Sequence, residues 1–379
     1  MRLKIADTLV IIVIGSTTAC TRASEPHCTA ACGTQPVTSD AARAYLNNAL
    51  DIMQRGSINK NQIDWASLRA QALATASGSQ VSSDTYPAIV LALGQLGDRH
   101  SSFVYPNGQE SVPVGATPLQ GAQMRAQFIG ADIAWILLPS TYDAGAISWQ
   151  DQAQRLVSDM DRGKPCGWIV DLRRNPGGNM WPMIAAIGPL LGEGQLGSFV
   201  TPDSIRTTWF YSAEGESGLV NSGQRIVLSK VESPYQLQRP GPPVAVIIGP
   251  STASSGEAVA VAFHGRALTR FFGEATYGVP TANSLMPLGD GAAINLTVGA
   301  DVDRNGVMFW PRPLLPDDFR NATVVDPNSS ADMSIEAATL WLRSQTACQP
   351  PSAVLEGSSL LDAESYNSLK RPAHAAGPL

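Results

Sequence analysis

The sequence predicts an α/β (α+β) protein: an N-terminal helical bundle, then a core in which strands alternate with helices and pair in parallel. Three observations carry this. The runs ADIAWILLP (131–139), GWIVDL (167–172) and VAVIIG (244–249) are apolar without alternation and short enough to be strands buried on both faces. WPMIAAIGPLL (181–191) and AVAVAF (258–263), apolar on all sides, read as buried helices between and after them. Upstream, apolar residues recur at helical spacing over 40–55, with further helices expected near 61–76 and 84–96. The chain has 379 residues, 44% hydrophobic and 15% charged, which suits a compact protein with a large core.

In chain order, Arg2, Lys4 and the apolar stretch Leu9–Ile14 make residues 1–20 a secretory signal, so the protein is expected to be exported. STTAC (16–20) resembles a bacterial lipoprotein processing site, although Thr18 stands where such sites favour Leu. A lipidated Cys20 would anchor the protein to a membrane on the extracytoplasmic side; simple cleavage would leave it periplasmic. Residues 21–37 read as a tether, 38–103 as the helical domain, 104–345 as the core and 346–379 as a tail. Export permits disulfides. Cys28, Cys32, Cys166 and Cys348 allow three pairings, among which the sequence does not choose; Cys28 with Cys32 and Cys166 with Cys348 is the one preferred. A metal site at His27, Cys28 and Cys32 lacks a nearby fourth ligand, so neither metal nor cofactor is expected. Residues 203–243 are rich in Ser, Gly, Gln and Pro and read as a hairpin-like, cap-like insertion. A strand pair is expected at 292–298 and 306–310 through the turn DVDRNG (301–306), and a last helix at 333–344. Net charge is −6 with no basic stripe, which argues against nucleic acid as a partner.

Chemistry concentrates in three segments. TASSGE (252–257) follows an apolar strand and opens a buried helix, where free N–H groups and the helix dipole favour developing negative charge. Two readings stand on this segment alone: a nucleophilic serine, or a polar cap with Glu257 closing a capping box. A serine needs a base. No lysine lies between 231 and 369, and His27 and His374 lie in the expected tether and tail. His264 ends the helix that Ser254 begins, about 15 Å away along ten residues. His100, in GDRHSSF (97–103), remains by elimination. DLRRNPGGN (171–179), directly after a strand, is either an ordinary turn or a loop whose glycine N–H groups approach an anion.

Together, DRHS (98–101), DLRRNPGG (171–178), TASSGE (252–257), GEATYG (273–278) and PLLPDD (313–318) resemble, in order, the motifs of the tail-specific (C-terminal-processing) serine protease family. The likeness covers about 40–345 and implies a mixed-sheet core of the tail-specific protease or crotonase-like type. It implies Ser254 as nucleophile, with Gly177, Gly178 and Ser255 around the oxyanion. Val279 stands where many members carry a lysine, so the resemblance points to the histidine-using branch and to His100. About thirty residues separate His100 from Ile133, too few for the family's PDZ module. The nisin-resistance group also lacks that module; its members trim lantibiotic peptides near the C-terminus, and it shares the style of GGNMWPM (177–183). The expectation is therefore an exported serine endopeptidase cleaving peptides or proteins near the C-terminus. A catalytically inactive binder of peptides or hydrophobic ligands on the same fold is the alternative, and an esterase or transferase using the same dyad is a third. Asp98 and Glu257 are candidate supports, with Asp301 and Asp303 as further options for orienting His100. Trp181, Met183 and Trp209 are candidates to line the cleft.

Overall fold

The computed structural model of the protein describes residues 37–111, 122–141 and 148–349. The signal segment, the tether, His27, Cys20, Cys28, Cys32 and the tail from 350 lie outside the described residues. Helices α1 (Asp40–Gly56), α2 (Trp65–Thr75) and α3 (Tyr86–Gly94) follow first. Ser39 caps α1, its hydroxyl accepting from the Ala42 N–H at 3.1 Å. The buried stripe of α1, including Leu46, Leu50 and Met53, meets α2 and α3 on one side. On the other it meets Phe103, Leu288, Ile294 and Leu296, so the bundle closes on a sheet rather than on itself.

Next come β1 (Ser102–Val104), β2 (Arg125–Ile129), β3 (Ile133–Leu137), α4 (Trp149–Arg162), β4 (Gly167–Asp171), α5 (Met180–Leu191) and β5 (Gly194–Val200). The expected insertion is an antiparallel meander of β6 (Arg206–Tyr211), β7 (Glu216–Asn221) and β8 (Gln224–Lys230). The chain continues through β9 (Val244–Ile248), α6 (Ser255–Phe263), β10 (Thr269–Gly273), β11 (Thr281–Pro287), β12 (Ala293–Asp303), β13 (Asp318–Phe319) and α7 (Met333–Ser344).

Two sheets result. One runs β13-β10-β9-β4-β3-β2, parallel except at the β2 edge. β3, β4 and β9 are buried at every position, which explains their unbroken apolar runs. Alternate residues serve the two faces. Ile136, Val170 and Val246 face the cluster that contains α5 and α6. Trp135, Ile169 and Ile247 face α7 through Ile335, Ala338 and Leu342. The other sheet is antiparallel, β1-β12-β5-β6-β7-β8, with β11 also on β12.

The hairpin expected at 292–298 and 306–310 is not formed. β12 runs unbroken for 11 residues to Asp303, and its long partner is the upstream β11; 307–309 fold back only on 301–303, through the Val302–Met308 bridge and the bonds from Asp303 N–H to Val307 O and from Phe309 N–H to Asp301 O. The turn sits later than expected, at 303–307, where the Asp303 carboxylate accepts from the N–H groups of Asn305 and Val307. Cys166 and Cys348 form a disulfide with Cα atoms 4.9 Å apart.

Candidate active site

β4 and β9 are adjacent parallel strands, with Asp171 opposite Ile247. Their carboxyl ends therefore place the loops 172–179 and 249–254 side by side, the usual place for a site in a parallel sheet. Hydrogen bonds lace the loops together. Thr252 Oγ1 donates to Leu172 O at 2.9 Å, and Ala253 N–H to Asn175 O at 3.1 Å. Ser255 Oγ donates to Gly178 O at 2.6 Å. A Cβ on Gly256 would lie 2.3 Å from Asn175 O, so only glycine lets the α6 start approach this turn.

Ser254 stands at the N-cap of α6 with φ 52° and ψ −120°, a conformation few non-glycine residues adopt. Such an angle costs on the order of 1–3 kcal/mol and persists only where neighbours over-determine it. Here the neighbour is Glu257. Its carboxylate is fully buried and accepts from the N–H of Ser254 (3.0 Å), Gly278 (2.9 Å) and Val279 (2.9 Å) and from Thr276 Oγ1 (2.5 Å). Glu257 thus joins the serine turn to the 276–279 loop. Burial, opposed by these hydrogen bonds, pushes its pKa up to about 7.

His100 reaches the same cleft from the loop between α3 and β1. Its Nδ1 lies 2.7 Å from Thr281 Oγ1, and that hydroxyl lies 3.3 Å from Val279 O. With the hydroxyl proton given to the carbonyl, Thr281 accepts from Nδ1–H, which leaves Nε2 as the bare nitrogen. Burial holds the imidazole pKa down to about 4, with the Asp98 charge acting in the opposite direction. The ring is therefore neutral at pH 7. Asp98 does not touch the imidazole. Its carboxylate accepts from the N–H of His100 and Ser101 and from Ser101 Oγ at 2.7–2.9 Å, and so shapes the loop. Asn283 Nδ2 donates to His100 O at 3.1 Å.

Ser254, His100, Gly178, Ser255 and Trp181 line one cleft of 1340 Å³. Within the NPGG turn, Gly177 N–H is taken by Asn175 Oδ1 at 3.1 Å and Thr141 O accepts from Asn179 N–H. The Gly178 N–H between them is committed to neither bond. Gly177 instead has a steric role: a Cβ there would sit 2.8 Å from Ser254 Cβ. Met183 and Trp209 do not line the cleft. Both are fully buried in the core, because Met183 faces the parallel sheet and Trp209 lies behind Phe199, ring centroids 4.7 Å apart. His264 bonds Asp303 at 2.6 Å, outside the cleft lining. Asp301 makes no contact with His100; it is buried with both carboxylate oxygens unpartnered, and burial with the Glu257 charge holds its pKa well above the usual carboxylate range. Among the described residues no cluster of His, Cys, Asp and Glu is arranged to hold a metal ion. Thr281 and Asn283 were not anticipated; a threonine 181 residues from its histidine carries no local signal.

Residues 132–317 match peptidase family S41. The chain is 26% identical over 303 residues to a nisin-resistance protein of Lactococcus lactis subsp. lactis, covering 79% of this chain and 87% of that protein. Its fold is similar to the solved structure of a lipoprotein from Streptococcus agalactiae, with TM-score 0.60 and 21% identity, over 81% of this chain and 98% of that one. It is also similar to the photosystem II D1 C-terminal processing protease, with TM-score 0.51 and 14% identity, over 78% and 99% of the two chains.

Proposed function

We propose, from the premise that residues 132–317 form a peptidase family S41 domain, that this chain is an exported serine endopeptidase that cuts peptides near their C-terminus. The observation that carries the proposal is the meeting in one cleft of Ser254, in its strained helix-start conformation, and of a neutral His100 held at Nδ1. In the proposed reaction His100 Nε2 takes the Ser254 Oγ proton as Oγ attacks the peptide carbonyl. The oxyanion is met by the N–H groups of Gly178 and of Ser255 at the start of α6. The protonated imidazole gives its proton to the leaving amine, and water then releases the acyl group by the reverse sequence. Trp181 supplies an apolar wall, backed by Phe199 at 6.3 Å.

The similarity to a nisin-resistance protein supports lantibiotic-like antimicrobial peptides as one substrate class. That similarity and the fold shared with a lipoprotein support an extracytoplasmic site of action. Among the described residues no helix is long and apolar enough to cross a membrane. A lipidated Cys20 would attach the protein to the membrane surface.

A fluorophosphonate probe tests the reading. Wild type is expected to be labelled and Ser254→Ala not, and His100→Ala is expected to lose about 10²–10⁴ in kcat. An unlabelled wild type would make the chain a peptide-binding protein on a peptidase fold. Normal turnover in His100→Ala with loss in His264→Ala would move the base to His264.

A further inference from the structure

The cleft wall carries a single Lys or Arg among the described residues: Arg99, beside His100. It is exposed and has φ 57°, a left-handed conformation that Arg rarely adopts. The angle turns successive side chains so that both Arg99 and His100 reach the cleft. The guanidinium lies over the 277–278 loop, 5.5 Å from the Tyr277 ring centroid and 3.4 Å from Gly278 O. That last bond is long and uses one of five donors. No ion pair among the described residues includes Arg99, in contrast to Arg173, which is buried between Asp171 and Asp332. The cleft's carboxylate, Glu110, accepts from Ser102 Oγ. In a chain of net charge −6, an unneutralised guanidinium held at the edge of a cleft marks a place for an anion.

The loop beneath Arg99 is not free to wander. Glu257 accepts from both Gly278 N–H and Ser254 N–H, so one buried carboxylate fixes the guanidinium's platform to the nucleophile's turn. A group bound by Arg99 is thereby held at a set spacing from Ser254. Trp181, Phe199 and Leu219 line the same cleft with apolar surface for the peptide's side chains.

We propose that Arg99 is a specificity-determining residue that binds the free α-carboxylate of the peptide substrate. The planar guanidinium matches a carboxylate bidentately, and Tyr277 supports its face. The inference rests on the peptidase reading above and adds the ruler for it: cleavage falls a short, fixed number of residues from a free C-terminus.

The experiment compares three peptides: one sequence as the free acid and as the C-terminal amide, and the same amide with its last residue replaced by Glu. Wild type is expected to favour the free acid over the plain amide by about tenfold or more in kcat/KM, the size expected of a charge-assisted contact. In Arg99→Asn, which tolerates the left-handed backbone, the ratio is expected to fall to about one. Arg99→Lys, which keeps the charge without the fork, is expected to lie between. A wild-type ratio of one, or an undiminished ratio in Arg99→Asn, overturns the proposal. Equal preference for the Glu-amide and the free acid also overturns it, since the site would then read any carboxylate. Fluorophosphonate labelling of the same preparations separates the two readings. Labelled enzyme without carboxylate preference defeats only the Arg99 assignment; unlabelled wild type defeats the peptidase reading.

Discussion

Thr281 and Glu257 each act on the site through another group, and each gives a measurable consequence. Replacing Thr281 with valine keeps the shape and removes the acceptor of the His100 Nδ1–H. The ring is then free to take either tautomer, and kcat is expected to fall about 10–100-fold with KM little changed, measured by steady-state kinetics. Glu257 governs pH dependence. Its folded pKa of about 7 lies above its ordinary value of 4.5, so its contribution to stability is full below about 4.5 and is lost as pH rises through 7. Activity runs the other way. The ionised carboxylate accepts from four donors, and protonation removes one acceptor from under Ser254. We expect kcat/KM to rise through about pH 7 in wild type, and to be lower and nearly flat from about pH 5 to 8 in Glu257→Gln. A limb unchanged by that substitution would assign it to another group. His100, with a pKa near 4, contributes the opposite stability term: between about 6.5 and 4 the unfolded chain takes up the proton first, and stability is lost as pH falls.

At the scale of elements, the site depends on the start of α6 touching the loop after β4. Gly256→Ala tests this contact. Alanine is the better helix former, which alone would stabilise α6 by up to about 1 kcal/mol. Its methyl would meet Asn175 O at 2.3 Å, with the Asn175 side chain at 2.9 Å. We expect a net loss of about 1–3 kcal/mol in denaturant unfolding, together with weaker fluorophosphonate labelling. These elements were legible for different reasons. β3, β4, β9, α5 and α6 stand out because a fully buried element is apolar throughout. α4 is polar on one face with an Asp- and Gln-rich sequence, and β2 and β5 carry no long apolar run; these were not anticipated. β2 and β5 take their stability from neighbouring strands, so their own residues carry little of the pattern; α4 does carry a helical stripe, Ala153, Leu156, Val157 and Met160 meeting the core.

Across the whole molecule, the C-terminal segment is tied to the parallel sheet twice. The Cys166–Cys348 disulfide joins the start of β4 to the residues just after α7, across 182 residues. Arg173, buried between Asp171 and Asp332, joins the end of β4 to the α7 cap. Closing so long a loop limits the unfolded chain. Cys166→Ser with Cys348→Ser is expected to cost about 2–5 kcal/mol in chemical unfolding. Asp332→Asn leaves a buried guanidinium under-paired and is expected to cost about 3–5 kcal/mol. Neither pair lines the cleft, so both variants are expected to keep fluorophosphonate labelling at low temperature, where the folded state still dominates.

By itself the sequence determined the α/β class, the buried strands, and the order of the DRHS, NPGG and TASSGE segments. Each is a local pattern, or a count of so few His and Lys that elimination works. Among three possible cysteine pairings the structure decided for Cys166 with Cys348. Only the tertiary structure decided that Thr281 meets His100, that Gly177 N–H turns to Asn175, that Trp209 and Met183 belong to the core, and that Glu257 joins two loops rather than only capping a helix. These are pairings between residues far apart in the chain or choices between two faces of one element. Spacing along a strand or helix shows that a side chain is apolar or polar. Which neighbour it meets is set by how the two sheets pack around the cleft.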